Sequence, residues 1–397
     1  LMSYLEQSTR YISYDSRFGG RYRYYRDPEI MESSFGARYI GDMDRIFDTY
    51  AHLVPQMQDF VREQFPKHPD DGDFVYRQAV KAKAFDALRG LLPAASLSNV
   101  GIYGTGQAYE ALLLRMRSHP LPESRYYADL MLRELRKVIP SFLERVDRED
   151  RGVVWSEYLQ ETREDTADVV AALFPEGSIV DPSPTVRLVD FDPEGEVKMI
   201  ASMMYPHSTM SEDQLERRVA GMNHEDRMAV ARAYVGDRRN RRHKPGRALE
   251  RPFYRFDVLV DYGAFRDLQR HRMLSMDWQN LSPHHGYISS PLVNAAGMEP
   301  VYEEAMERSA ALYDLLVDDF PDQASYAINL AYKIRFNMNI NARSAMHLIE
   351  LRTTPQGHPS YREVGQEMHR LIAEEAGHTV ISEMMKFVDH TDETDLE

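Results

Sequence analysis

The sequence predicts an α+β protein built from two related units in tandem, and three features carry that expectation. The run Phe253–Val260 alternates Tyr254, Phe256, Val258 and Val260 with Arg255, Asp257 and Leu259, the two-residue period of a half-buried strand. Apolar residues at helical spacing mark Asp42–Phe65 (Ile46, Phe47, Tyr50, Leu53, Val54, Met57) and Phe74–Leu92 (Val75, Ala79, Ala82, Leu88, Leu91). Late in each half a helix ends in Leu-Arg, at Leu114-Arg115 and Leu351-Arg352, and another begins near Tyr126 and Tyr361. Arg125–Val146 thereby matches Tyr361–Phe387, and the expected layout is a first unit at 1–150, a linker at 151–184 and a second unit at 185–397.

A chain of 397 residues, 43% hydrophobic and 28% charged, can bury two ordinary cores. Its net charge of −15 and pI near 5.5 oppose a generic nucleic-acid or membrane-surface binder, since a polyanion is repelled unless a local basic site overrides the field. A small anionic nucleotide in a basic pocket stays compatible with that field. The sequence has no run of 18 apolar residues, no signal-peptide core and no cysteine, which points to a soluble, cytosolic protein without disulfides or thiolate metal sites.

Along the chain, Tyr14–Met31 is rich in Arg, Tyr and Gly without a period, and reads as a loop with its aromatics packed at the surface. Gly101-Ile102-Tyr103-Gly104-Thr105-Gly106 opens the helix that ends at Leu114-Arg115; with no convincing strand before it and no acidic residue at the right distance, it does not predict a dinucleotide fold. Asp147–Asp150 is a charged junction, and Phe174–Pro184, with three prolines and a glycine, is the core of the expected linker. Val186–Phe191 reads as a strand, Val197–Met204 as a helix and Ser211–Tyr234 as one or two helices. The basic run Arg238-Arg239-Asn240-Arg241-Arg242-His243-Lys244 reads as a mobile solvated loop rather than a phosphate-recognition loop. His284-His285 are adjacent and share no helix face, so they do not predict a metal site.

The chemistry centres on Arg270-His271-Arg272, three cations where a helix over Tyr262–Leu268 ends. Alone they fit either a solvated helix end or an anion site, in which two guanidinium forks and an imidazole meet a phosphate. Asn341-Ala342-Arg343-Ser344 and then Leu351-Arg352 follow about seventy residues on. Together these residues resemble the flavin-dependent thymidylate synthases (ThyX), whose signature is Arg-His-Arg, seven residues, then Ser, with a later Asn-Ala-Arg-Ser opening a helix that ends in Leu-Arg. The resemblance runs from about Val186 to the C-terminus. At the N-terminus, Ser3, Glu6, Ser8, Arg10 and Tyr11 fall on the continuation of that signature, with Leu5 replacing its Asn, so the chain is expected to start just after a missing Arg-His-Arg. Arg89, four residues before Pro93, stands where the family places a nucleotide-binding arginine; on its own it would be an ordinary helix-end cation.

The halves depart from the pattern in complementary ways. Thr105-Gly106-Gln107 occupies the place of Asn-Ala-Arg in the first half. In the second, Asn280 replaces the motif serine, Trp278-Gln279-Asn280-Leu281-Ser282 replaces Glu-x-Ser-x-Arg, and Ser325 falls where Arg89 fell. The resemblance implies two tandem ThyX-like domains, helices packed on small antiparallel sheets, the first domain incomplete at its N-terminus and the pair related by a pseudo-twofold axis. It further implies one composite site per pair. Glu6, Ser8, Arg10, Arg89, Arg115 and Arg352 would hold dUMP; Arg270, His271, Arg272, Asn341 and Arg343 would hold FAD. Reductive methylation of dUMP to dTMP would draw on methylenetetrahydrofolate and NADPH, with no metal and no protein nucleophile; the thiol of classical thymidylate synthase is lacking. A homodimer would mimic the family's four-domain assembly. Two other readings stay open: a catalytically decayed homologue serving as scaffold or nucleotide-binding partner, and a relative modifying another pyrimidine nucleotide.

Overall fold

The computed structural model describes residues 2–9, 11–174 and 184–391. Arg10 and nearly all of the Phe174–Pro184 tract lie outside the described residues. The first half runs β1 (Ser3–Glu6), α1 (Pro28–Glu32), α2 (Gly36–Gln64), α3 (Asp73–Leu88), a 3-10 turn at Arg89–Leu91, β2 (Val100–Tyr103), α4 (Gly106–Arg117), α5 (Pro122–Leu135), α6 (Pro140–Leu143) and α7 (Val154–Leu173). The second runs β3 (Val186–Phe191), α8 (Gly195–Met204), α9 (Glu212–Ala220), α10 (His224–Val235), β4 (Phe253–Asp261), α11 (Tyr262–Gln269), β5 (Leu274–Trp278), α12 (Pro291–Ala295), α13 (Glu299–Leu316), a 3-10 turn at Gln323–Ala327, β6 (Lys333–Asn341), α14 (Ala342–Arg352), α15 (Pro359–Glu374) and α16 (Thr379–Glu383). Two antiparallel sheets result, β1-β2 and β3-β4-β6-β5, under helices, as the α+β expectation requires.

Local chemistry sets the boundaries. Asn341 and Thr105 each cap the helix they precede, accepting from the amides of Ser344 and Ala108. Ser211 and Gln214 form a capping box at α9, and Asn223 caps α10, so Ser211–Tyr234 divides into two helices. Arg125–Val146 is not continuous: α5 stops at Leu135 and Pro140 starts α6, because proline donates no amide to a preceding turn. Within the stretch expected as linker, 151–184, lies the twenty-residue helix α7.

Two readings of the first half are corrected. Val100–Tyr103, taken as part of a glycine-rich helix opening, is a strand paired with Ser3–Glu6; both strands are mostly exposed, so neither shows the alternation that marks a half-buried strand. Tyr14, Tyr22 and Tyr24 are buried rather than packed at the surface. Their hydroxyls are satisfied by Leu97 O, Asp48 and Asp44, and the rings of Tyr22 and Tyr24 stack on Phe47 with centroids 5.1 and 5.5 Å away. Each such ring contributes roughly 1.5–3 kcal/mol of burial.

Main-chain pairing displays the pseudo-twofold relation. Pro93 bridges Asn329, Ala94 N donates to Ile328 O (2.8 Å) and Leu330 N to Leu92 O (2.9 Å). Ala95 N donates to Tyr326 O (3.2 Å) and Ala331 N to Gly90 O (3.0 Å). Every bond is repeated with the halves exchanged when 236 is added to a first-half number, 93 becoming 329 and 94 becoming 330. A self-complementary contact of this kind is what a twofold interface demands. Gly90 sits where a Cβ would lie 2.2 Å from the Tyr302 hydroxyl and 2.9 Å from the Ala331 Cβ, so no other residue fits this crossing without displacement. Strands β2 and β6 obey the same offset, Val100 becoming Phe336, and each pairs at that position with the motif strand beside it: Glu6 with Val100 in the first ribbon, Trp278 with Phe336 in the second. Glu6 and Trp278 therefore occupy equivalent positions, as the motif alignment expects.

One large core joins the two halves, from Phe47 and Phe85 of α2 and α3 to Tyr302, Phe256 and Ile349 of the second half. A small separate cluster, Leu113, Leu114, Ala128, Leu132, Leu143 and Val146, holds α4 to α5 and α6. The Leu-Arg pairs differ by one residue relative to their caps: Leu114 lies nine residues after Thr105, and Leu351 ten after Asn341. Equivalence by cap therefore places the buried Leu113 on the buried Ile349.

Candidate functional site

At the C-terminal end of β6, the start of α14 and the turn between α11 and β5 enclose a cavity of about 640 Å³. That volume lies in the range of cofactor sites, about 300–1,000 Å³. Among its lining residues seven carry positive charge, Arg238, Arg241, Lys244, Arg270, Arg272, Arg343 and Arg352, against one carboxylate, Glu250. In a protein of net charge −15, so local an excess of cations makes this cavity a positive pocket in a negative field.

The fold brings together Arg270, His271, Arg272, Asn341, Arg343 and Arg352, all expected from sequence. Helix α14 supplies the last two, Arg343 from its first turn and Arg352 as its final residue, and Asn341, its cap, accepts from Ser344 N at 2.9 Å. Arg343 donates to Pro245 O (2.9 Å) and Glu250 (2.8 Å). Arg352 Nε donates to His271 Nε2 at 2.9 Å, its guanidinium lies over the Tyr361 ring at 5.2 Å, and it also donates to the Asp267 carbonyl. Burial and the neighbouring Arg352 lower the His271 pKa to about 3, so the imidazole is neutral and accepts from Arg352. Met273, beside Arg272, has φ 64°, the left-handed region that a non-glycine residue enters at a cost of about 1–3 kcal/mol. Alone among the described non-glycine residues in this respect, it bends the chain sharply between Arg272 and β5.

A first-half residue reaches this centre. Glu6, at the end of β1, accepts from Arg270 Nη2 at 2.8 Å and also from Arg266. Ser8 follows in the same turn, its carbonyl accepting from Tyr11 N at 3.1 Å. Two others expected on the nucleotide, Arg115 and Arg89, lie elsewhere. Arg115 is on the exposed face of α4 and does not line the cavity. Arg89 is buried under a smaller pocket of about 140 Å³, with Asp267 at 3.2 Å and Asp86 at 3.4 Å. Burial opposes its charge, yet Asp86, Asp267 and Asp261 raise its pKa. Its guanidinium is thus a buried partner of carboxylates, which would repel a phosphate, and not an open anion site.

Sequence reasoning missed the run Arg238–Lys244. Its first residue is not solvated: Arg238 is 3% exposed and forms two bonds, 2.7 and 2.5 Å, with the fully buried Glu350, while Arg239, Asn240, Arg242, His243 and Lys244 are exposed as the loop reading expects. Arg241 and Lys244 line the cavity. The available signal was the density of cations in an acidic chain; the partner that folds them inward lies more than a hundred residues on.

A family model described as thymidylate synthase complementing protein matches residues 1–141 and 187–377. A UPF0159 protein of Chlamydia pneumoniae is 38% identical over 390 residues, which covers 98% of this chain and 73% of that protein. A UPF0159 protein of Thermoplasma acidophilum is 29% identical over 421 residues, covering 98% and 81%. Among solved structures, the UMP/dUMP methylase PolB from Streptomyces cacaoi with 5-Br dUMP is 18% identical, covering 50% of this chain and 94% of that one, with a TM-score of 0.38. Thymidylate synthase X (ThyX) from Helicobacter pylori with FAD and dUMP is 18% identical, covering 51% and 98%, with a TM-score of 0.35. With two matched segments that coincide with the two halves of its internal repeat, the chain belongs to the thymidylate synthase complementing protein (ThyX) family, as a tandem pair.

Proposed function

We propose that this chain is a flavin-dependent methylase of a pyrimidine nucleotide, converting dUMP to dTMP at one composite site per pair of halves. The observation that carries the reading is the contact of Glu6 with Arg270 at 2.8 Å, which sets a motif residue of the first half on the Arg-His-Arg of the second. In this reading the tandem domains are 1–150 and 185–397, and the cationic cavity holds FAD through Arg270, His271, Arg272, Asn341 and Arg343. The cavity fits such a group in charge, in volume and in offering a neutral imidazole buried among guanidiniums.

Reduced flavin, replenished by NADPH, supplies hydride when bound, and methylenetetrahydrofolate supplies the carbon unit. The chain contributes position and field. Glu6 and Ser8 orient the pyrimidine, and Arg352 and Arg10 oppose its phosphate. Arg89, turned to Asp267, braces the join between the halves and is left out of the grip. The neutral His271 fixes the Arg352 guanidinium through Nε2 and leaves the site without a proton to lose near pH 7. The protein acts in the cytoplasm, as a homodimer of tandem pairs.

A second reading, a catalytically decayed relative that still binds a nucleotide, is favoured by one observation. Trp278 holds the position equivalent to Glu6, and Asn280 stands in place of the motif serine, so the second half lacks the groups that would orient a pyrimidine. The visible spectrum of the purified protein separates the two. Bound oxidised flavin gives a yellow protein whose spectrum shifts on adding dUMP; a colourless protein that takes up no FAD overturns the proposal.

A further inference from the structure

The run Arg238–Lys244 is built as a clamp. Arg238 sits at its centre, and its guanidinium takes three kinds of partner at once. Toward the helix it bonds Glu350 of α14 on both oxygens. Toward its own loop it donates to His243 O (2.8 Å) and Arg241 O (3.3 Å). Toward the C-terminal segment it reaches Met384 O (3.4 Å) and lies over the Phe387 ring at 5.2 Å. The far end is pinned as well, because Arg343 of α14 donates to Pro245 O at 2.9 Å. A loop tied at both ends to the helix that forms the cavity wall has little freedom to turn its side chains away.

Arg241 and Lys244 are the side chains left facing the cavity. Among the described residues neither takes part in a salt bridge, and the same holds for Arg272 across the cavity, whereas Arg343 meets Glu250, Arg352 meets Asp267 and Arg270 meets Glu6. The charge of both reaches inward, since Lys244 and Arg241, after burial, keep the His347 imidazole deprotonated below its ordinary pKa. A protein of net charge −15 that leaves uncompensated cations converging on one cavity stabilises a ligand of two or more negative charges.

We propose that Arg241 and Lys244 are specificity-determining residues that bind the diphosphate of the dinucleotide flavin, and that the Arg238–Glu350 pair is the positioning element that presents them. This deepens the reading under Proposed function and rests on it for the identity of the ligand. The loop thereby makes the site select a diphosphate-bearing flavin over a flavin without phosphate.

The test compares FAD and riboflavin, by quenching of flavin fluorescence, on the wild-type chain and on the double variant Arg241→Ala, Lys244→Ala. The expected result is a loss of FAD affinity of about a hundredfold, a shallower dependence of FAD binding on salt, and unchanged riboflavin binding. Equal FAD affinity, an unchanged salt dependence, or parallel loss of both flavins overturns the assignment. Inorganic pyrophosphate, titrated calorimetrically into the same two proteins, probes the loop without any flavin: binding by the wild type that the variant loses supports the clamp, and equal heats in both overturn it. Failure of the wild type to bind FAD while pyrophosphate still discriminates the variants would overturn the flavin reading and keep the loop as a diphosphate site. Substituting the half-buried Arg241 and the exposed Lys244 leaves the Arg238–Glu350 pair intact, and an unaltered thermal transition confirms that the variant is folded.

Discussion

Asp267 accepts from Arg89 at 3.2 Å while lying 3.4 Å from Arg270 and 3.8 Å from Arg352. One carboxylate on α11 thus holds a first-half guanidinium and two cations of the second-half cavity. Burial would raise the Asp267 pKa, but Arg89, Arg352 and Arg270 together lower it. A carboxylate shared by three cations is stabilised as the anion, and removing it leaves the buried Arg89 guanidinium with Asp86 as its remaining ion-pair partner.

Asp267→Asn should therefore destabilise the protein by about 3–5 kcal/mol, read as a fall in the denaturation midpoint. The acid limb carries the sign. A depressed folded-state pKa gives stability that is full above the unfolded value near 3.9 and is lost as pH falls through the lower folded value. Wild type should lose stability below about pH 4, and the variant should lose less there. Identical acid limbs in the two proteins would remove Asp267 as the hub.

His271 gives the second pH prediction. Its pKa, lowered to about 3 by burial and then by Arg352, lies below the unfolded value of about 6.5, so the unfolded chain takes up a proton that the folded one refuses. The resulting stability is complete above about pH 6.5 and fades as pH falls from there toward 3. Nitrogen NMR of the imidazole should show it neutral at pH 5 in the folded protein. A titration centred near 6.5 would mean that His271 is solvated and does not accept from Arg352.

How much of this was legible before folding depends on whether the cause was local or distant. The motif register was legible: Glu6 and Trp278 fall at equivalent places because strand pairing repeats with the internal repeat. So were Arg270, His271, Arg272, Asn341 and Arg343 of the cavity wall, since the cap of α14 and the Arg-His-Arg turn are written in neighbouring residues. The environment of Arg89 was not. Asp86, one helical turn away, is visible in sequence, but Asp267 lies 178 residues on and is brought there by the twofold crossing. The loop 238–244 failed for the same reason, its fate being decided by Glu350. The buried tyrosines of 14–24 follow no period because each is held by its own hydroxyl partner, not by a helix or strand face.

Arg343 links the loop to the cavity wall through Pro245 O and Glu250. Arg343→Ala should loosen the loop end and weaken FAD binding by about ten- to a hundredfold, equivalent to roughly 1.5–3 kcal/mol. Equilibrium dialysis of FAD against the variant checks it. Full retention of flavin would show that Arg343 serves the loop alone.

The composite site itself turns on Glu6, which contributes nothing to the charge a flavin needs and stands on the other half of the chain. Its carboxylate neutralises part of the Arg266 and Arg270 charge. In Glu6→Gln the side chain keeps its volume and can still accept from one guanidinium, but the local field becomes more positive, so FAD, an anion, should bind as tightly as before or more so. A role in orienting the pyrimidine predicts the opposite for the nucleotide: the amide would present donors where a carboxylate accepted, and dUMP-dependent turnover should fall by a hundredfold or more, in the range that a positioning group typically supplies. Measuring FAD affinity and dUMP-dependent flavin oxidation on the same preparation separates these effects. Loss of both together would mean that Glu6 only braces the Arg270 turn, and loss of neither would leave the first half as scaffold and favour the decayed relative.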